Sequence, residues 1–286
     1  MTRVALAVPV LMYHHVSPTP GMITVSPAHF AEQIACLARR GYRTLNAREL
    51  ADYLRGAPVA PKSVVITFDD GYLDNWVHAH PVLQRYGFSA ICFLVSAWPG
   101  DGPARPHASS GGCGKLPYLL SHAESEDAIA KGRADDAILR WSEIEAMRRC
   151  GTFEFHSHTH CHARWDMVTR NRGEKRERLH DDLVRARDTL RSRLGEVSNH
   201  LCWPQGYYDD DYLDVALSAG FRHFYTCDRG TNSFRRWSAS QPLTPAFPGH
   251  SIRRLEVRDR SAAWLASRLW VHARPLVSRA YLAIKR

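Results

Sequence analysis

Four histidines stand at alternate positions in His156-Ser157-His158-Thr159-His160-Cys161-His162. On a strand they would share one face; in a helical segment His158 and His162 would lie one turn apart and could grip one ion. Imidazole suits zinc, iron, cobalt or nickel, and a carboxylate would complete a three-ligand site with open positions for water. A histidine-rich surface loop without metal has the same composition. Two carboxylates stand together elsewhere, in Thr67-Phe68-Asp69-Asp70-Gly71. Side chains alternate along a strand, so adjacent aspartates at a strand end point apart. One can then ligate metal while the other addresses a water. That division suits metal-assisted hydrolysis, in which a Lewis acid polarises a carbonyl and a base takes the water proton. An Asp-Asp-Gly turn with a capping or calcium-like role is the alternative. Trp203-Pro204-Gln205-Gly206 is the third piece.

The elements around these pieces must bring them to one place. Val8 to Tyr13 reads as a buried strand. Ser26-Pro27 opens a helix with Phe30, Ile34 and Leu37 on one face and Gly41 at its end. Thr44-Leu45 is a short extended piece, followed by a helix through Leu50 and Leu54. Ser63 to Phe68 is the strongest strand, because Val64, Val65 and Ile66 are all β-branched, and it ends at Asp69-Asp70-Gly71. A helix broken at Pro81 and closed by Gly87 leads to a strand over Ala90–Val95. Strand, helix, strand at this spacing predicts parallel βαβ units, with the chemistry on loops at the carboxyl ends of the strands. Residues 99–139 break the rhythm and read as an inserted lid or specificity loop, with a helix-like stretch near Ala123–Ile138. Trp141–Cys150 is a helix, Thr152–Phe155 a strand delivering the histidines, and 174–194 a charged helix. Leu201-Cys202-Trp203 is a strand, Tyr212–Ala219 a helix, and Phe224–Cys227 and Ile252–Val257 are the late strands.

The chain of 286 residues is long enough for one α/β barrel. Its net charge of +9 is uneven: from Arg235 to Arg286 eleven Lys or Arg face two acids, Glu256 and Asp259, while residues 1–234 are neutral. A basic end suits either an anionic partner, membrane phosphate or nucleic acid, or a solvated surface. No recognisable nucleic-acid module accompanies it, so no nucleic-acid partner is expected. The apolar run Val4–Met12 contains Pro9, is too short to span a membrane and lacks a small-residue cleavage site. Seven cysteines, an odd number without paired spacing, suit a reducing compartment. Both observations predict a cytoplasmic protein, peripheral on the inner membrane face if the basic end binds there.

Taken together, the three pieces resemble a known family. Thr67-Phe68-Asp69-Asp70-Gly71 is similar to the first motif of the polysaccharide deacetylases, the NodB-homology or carbohydrate esterase 4 group. His158-Thr159-His160-Cys161-His162 resembles the second, His-Ser/Thr-x-x-His, and Trp203-Pro204-Gln205-Gly206 resembles the third, whose usual core is Pro-Tyr-Gly. Leu11-Met12-Tyr13-His14 and Trp141-Ser142-Glu143 look like members that deacetylate poly-N-acetylglucosamine. The resemblance spans roughly residues 8–270. It implies a distorted (β/α)7 barrel over 1–260, an inserted loop at 99–139, and a divalent metal ion, Zn2+ first with Co2+, Ni2+ or Fe2+ as alternatives. It also implies that Asp70, His158 and His162 hold the metal and that Asp69 is the general base. Pro204, Gln205 and Gly206 would line the substrate, the Gln205 N–H helping to hold an oxyanion. His156 and His160 match no ligand position.

Two departures stand out. The family often carries an Arg two residues before the third-motif Pro, orienting the base; here Cys202 stands there, and Asp228 is the candidate for that Arg's usual Asp partner. No late Leu-x-His motif supplies a general acid. His250 is the nearest late histidine, and His14 is the alternative acid or a substrate contact.

Ser261–Arg286 interleaves Trp264, Leu265, Leu269, Trp270, Leu276, Tyr281 and Ile284 with Arg268, Arg274, Arg279 and Lys285, and predicts a basic amphipathic helix kinked at Pro275. An ordinary packed terminal helix is the alternative. With the missing signal, this tail points to N-deacetylation of a polyprenyl-phosphate-linked N-acetylhexosamine, as in lipopolysaccharide or glycan modification. A poly-N-acetylglucosamine or peptidoglycan deacetylase is the second reading, and a non-catalytic carbohydrate-binding protein the third.

Overall fold

All eight residues of the strand Ser63–Asp70 are buried, Val64, Val65 and Ile66 included. A strand covered on both faces belongs in the middle of a parallel sheet whose helices screen it from water. The computed structural model of the protein describes residues 4–110, 115–195, 198–233 and 250–285. In chain order the elements are β1 (Val10–Tyr13), β2 (His15–Val16), β3 (Thr24–Val25), α1 (Pro27–Arg39), β4 (Arg43–Thr44), α2 (Ala47–Leu54) and β5 (Ser63–Asp70). A π-turn over Asn75–Ala79 runs into α3 (His80–Tyr86), followed by β6 (Ala90–Leu94), α4 (His122–Ala130), α5 (Trp141–Arg149), β7 (Phe153–Ser157), α6 (Trp165–Val168) and α7 (Arg172–Leu194). The chain continues through β8 (His200–Cys202), α8 (Asp210–Ser218), β9 (His223–Tyr225), β10 (His250–Ile252), β11 (Leu255–Glu256), α9 (Ala262–His272) and α10 (Pro275–Ile284).

The sheet runs β10-β9-β8-β7-β6-β5-β1-β11, every pair parallel. β10 pairs with β9 and β11 with β1, and only Arg253 and Arg254 separate them. One interrupted strand therefore joins both edges and closes a barrel of seven strand positions, as the family resemblance implies. Alternation sends Val10, Val65, Ile91, Phe93, Cys202, Tyr225 and Ile252 into one buried cluster. Leu11, Tyr13, Val64, Ile66, Phe68, Cys92 and Leu94 meet α1, α3, α5 and α9 in another. The first set fills the barrel; the second seals sheet against helices.

The expected strand over 252–257 is broken, and the reason is Arg254. Its guanidinium turns inward, fully buried, and its N–H is taken by the Asp228 carbonyl at 3.0 Å. The end of the segment expected as an inserted loop is bound to the rim: Leu73 N–H donates to Ala137 O and Leu139 N–H to Gly71 O, and Tyr72 bridges to Ile138. The expected single terminal helix is two, because Ala273 caps α9 and Pro275 takes the first turn of α10, where its missing N–H costs nothing. Leu265 and Leu269 of α9 are fully buried in the outer core.

Histidine burial sets the acid response. His80, 2 % exposed, stacks on Trp76 and lies 2.7 Å from Thr152 Oγ1. Burial first, then His107, pulls its pKa down to about 4. The unfolded chain binds this proton from about pH 6.5 downward and the folded chain does not. Stability will therefore fall as pH drops from about 6.5 towards 4, and His80→Gln will flatten that slope in urea midpoints measured across the window.

Candidate active site

Asp69 and Asp70 end β5, and alternation separates them as adjacent strand residues must be. Asp69 follows Val65 and Thr67 onto the barrel side; Asp70 falls on the other and leaves the strand at φ 71°. Gly71 follows at φ 81°, and a Cβ there would lie 2.5 Å from Leu94 Cδ2, so only glycine lets the chain turn here. Four non-glycine residues among the described ones have positive φ: Asp70, Thr159, His162 and Gln205. All four lie in the three sequence motifs. Backbone strain of this kind persists where the surroundings hold it, commonly at functional sites.

β7 ends at Ser157, and 158–162 is neither strand nor helix but a tight turn. Asp182 Oδ1 of α7 accepts from the His160 and Cys161 N–H groups at 2.7 and 2.9 Å, and Thr159 Oγ1 accepts from His162 N–H at 3.0 Å. This turn brings the His158 and His162 rings to 4.9 Å and both Nε2 atoms to Asp70 Oδ1, at 3.3 and 3.5 Å. His158 Nδ1 lies 2.9 Å from the Cys202 carbonyl, which can only accept, so Nδ1 carries a proton and Nε2 faces Asp70.

Asp70 Oδ1 is buried and has no hydrogen-bond partner. Facing two imidazole nitrogens, it asks for a cation. Donors held at about 2.0–2.1 Å on a tetrahedral ion stand roughly 3.3–3.4 Å apart, close to the spacings of this group. Electrostatics agree. Burial works against the Asp70 charge, but His158 and His162 outweigh it and hold the carboxyl well below its usual range. Burial pulls His162 down to about 4, leaving the neutral ring that ligates metals. Burial also opposes charge on His158, yet Cys202 and Asp70 outweigh it and push its pKa well up, so the site favours a positive charge between His158 and Asp70, a place that a cation can take in exchange for the proton. The residues present fit a divalent metal.

Asp69, His158 and Cys202 form a second set of close donors. Burial pushes the Cys202 thiol up to about 11, so it stays protonated, and both Asp69 oxygens are engaged by Arg254. The Asp70 group is the better cation site.

Arg254 was not visible in the sequence. Its Nη1 and Nη2 meet Asp69 Oδ1 and Oδ2 at 2.7 and 2.8 Å, Nη2 lies 3.0 Å from Cys202 Sγ, and Nε donates to Thr226 O at 2.9 Å. The guanidinium that the third motif lacks thus arrives from the far end of the chain, and Cys202 leaves room for it. Burial works to raise the Asp69 pKa, but Arg254 and then His14 outweigh it and keep it low. The signal available was an arginine inside an apolar strand pattern, Ile252-Arg253-Arg254-Leu255. Asp228, the sequence candidate for an arginine partner, gives Arg254 only its backbone carbonyl.

His14 Nε2 lies 3.7 Å from Asp69 Oδ2, with the side chain 16 % exposed. His250 is a correction. Its backbone opens β10 in register with His223, and through β9 with His200, at the amino end of the barrel wall. The rim carrying the aspartates is at the carboxyl end, and the His250 side chain lies outside the described residues. His160 Nδ1 is 2.9 Å from Ser96 Oγ. His156 faces a cleft of ≈ 610 Å³ at the amino end, bonded to Ser198 at 2.6 Å. Neither belongs to the cation group. Pro204 is buried and Gln205 exposed at φ 55°. The Gly206 and Tyr207 N–H groups are used within the turn, by Trp203 and Pro204 carbonyls. A Cβ on Gly206 would lie 2.6 Å from Cys227 Sγ.

Barrel, rim carboxylates and histidine turn agree with what a family profile described as polysaccharide deacetylase finds over residues 56–224; the chain belongs to that family. Among curated proteins it is 25% identical over 217 residues to a poly-beta-1,6-N-acetyl-D-glucosamine N-deacetylase of Escherichia coli (strain K12), covering 73% of this chain and 31% of that protein. A poly-beta-1,6-N-acetyl-D-glucosamine N-deacetylase of Staphylococcus aureus (strain MRSA252) is 22% identical over 252 residues, covering 86% and 71%. The chain thus spans about a third of the first of these relatives. Among solved structures, IcaB from Ammonifex degensii superposes with a TM-score of 0.68 at 21% identity, over 94% of this chain and 99% of that one, which shows the shared fold.

Proposed function

We propose that the protein removes N-acetyl groups from a polymer of N-acetylglucosamine, by hydrolysis of the acetamide at the Asp69–Asp70 rim. The observation that carries this reading is the buried, unpartnered Asp70 oxygen facing two imidazoles, beside an aspartate held by Arg254. Asp70, His158 and His162 would hold a divalent metal, zinc first by its donor set. When bound, the metal supplies Lewis acidity toward the acetamide carbonyl and makes water more acidic.

The chain's own groups do the rest. Arg254 keeps Asp69 ionised and aims it, so Asp69 can take the proton of an attacking water. His14, kept neutral chiefly by burial, lies beside Asp69 and can receive that proton and pass it to the leaving amine. It takes the acid role in place of His250. The Gln205 N–H, on its left-handed turn, is offered to the developing oxyanion.

The names of the relatives support a polymeric substrate, so the second of the two substrate readings replaces the lipid-linked one. The experiment is acetate release from β-1,6-linked N-acetylglucosamine oligomers, against β-1,4-linked oligomers and a polyprenyl-phosphate N-acetylhexosamine. The β-1,6 oligomers should react fastest, and a chelator should stop the reaction. Faster turnover of the lipid-linked sugar would overturn the polymer reading. Chelator-resistant turnover would overturn the metal.

A further inference from the structure

At the level of the rim, outside the catalytic opening, a groove of ≈ 190 Å³ lies between the ends of β9 and β11 and the helices α9 and α10. Arg229, Arg258, Arg260, Arg268 and Lys285 line it, with Trp264 and Tyr281, and Glu256 is its one acid. Glu256 is already bonded to Arg258, at 3.1 Å. Arg229, Arg260, Arg268 and Lys285 have no ion pair among the described residues. The segment 234–249, whose structure lies outside the described residues, contains no Asp or Glu that could neutralise them.

Like charges gathered without counter-charge repel, and the fold gains nothing from placing them together. The field is felt inside the wall. His272, buried and 2.9 Å from Ser278 Oγ, is pulled down first by burial and then by Arg268 and Arg229. Arg268 is held in position by the rings of Trp264 and Tyr281, at 5.6 and 4.9 Å from their centroids. A guanidinium fixed over aromatic rings beside other free cations is suited to a phosphate oxygen.

The neighbouring surface says where such a phosphate comes from. Leu276 and Ile284 of α10 are 82% and 86% exposed, and Trp270 of α9 is 53% exposed. Leu276, Ala280 and Ile284 fall at a spacing of four, one strip of α10, and Lys285 of the groove directly follows Ile284. Large apolar side chains in water beside unpaired cations match a lipid surface with anionic headgroups. No described helix is long and apolar enough to cross a membrane.

We propose that this groove binds the phosphate of an anionic phospholipid headgroup, seating the α9–α10 end on a membrane surface with the rim beside it. This goes beyond the substrate reading and stands or falls separately from it. The test is co-sedimentation of the full chain with phosphatidylcholine vesicles, with and without phosphatidylglycerol, at low and high salt. The protein should prefer the phosphatidylglycerol vesicles, and salt should weaken the preference. Neutralising three cations outside the catalytic machinery, in Arg229→Gln/Arg260→Gln/Lys285→Gln, should lower partitioning about a hundredfold, from roughly fivefold per cation. Acetate release from a soluble oligomer by the same variant should be unchanged, which shows that it folds. Equal binding to both vesicles, or a variant that partitions like the wild type, would overturn the proposal. A rise in Tm with inorganic phosphate but no vesicle preference would overturn the lipid source.

Discussion

Asp70→Asn will lower acetate release by roughly three orders of magnitude, because the several kcal/mol expected of a metal Lewis acid correspond to a factor of that size. Asparagine keeps the shape of the side chain and removes its charge. The attraction that outweighs the burial of Asp70 is then gone, and His158 and His162 lose the third donor they face at 3.3 and 3.5 Å. Zinc affinity should fall with activity, measured by titration calorimetry and metal content. Asp69→Asn separates the roles, since it should lose activity yet keep the metal. An Asp70→Asn protein that retains both would end the assignment of this group as the metal site.

Arg254→Met will unfold the protein more easily, by about 3–5 kcal/mol, the usual cost of leaving one partner of a buried ion pair alone. Arg254 is fully buried, Asp69 is 2 % exposed, and methionine supplies no donor for either carboxylate oxygen. The sign with pH follows. In the wild type the folded Asp69 pKa lies below the unfolded value of about 3.9, so the pairing stabilises above that pH and fades as pH falls through the lower folded value. Without Arg254, burial prevails and the folded pKa rises above the unfolded one. The variant's deficit therefore grows as pH rises, and its activity, which needs ionised Asp69, moves to higher pH. Arg254→Lys should restore part of the stability, since it returns the charge without the two-pronged geometry. Urea midpoints and kcat/KM across pH check both. A kcat/KM profile in Arg254→Met identical to wild type would show that the guanidinium does not tune the base.

Local pattern and chemistry were enough to read most of the framework. The β-branched run at 64–66, the glycines ending helices and the alternation at Asp69–Asp70 are properties of short segments, and they predict parallel strands carrying carboxylates at their ends. A histidine cluster and an aspartate pair that could share a cation were legible for the same reason; the choice of Asp70, His158 and His162 among them came from the family resemblance, not from spacing. Whether 158–162 was strand or helix was not legible, because its shape comes from Asp182, about twenty residues on, which bonds the His160 and Cys161 N–H groups. Arg254 is the clearest case of what only tertiary structure decided. It stands 185 residues from Asp69, and its role depends on barrel closure, which breaks a strand that the apolar pattern shows as continuous. His250 failed as an acid for the complementary reason: sequence shows that a histidine precedes a strand, but not that this end of the strand faces away from the rim. Interactions within a turn or a strand are written in neighbouring residues; a buried charge is paired by whichever residue the closed barrel brings to it.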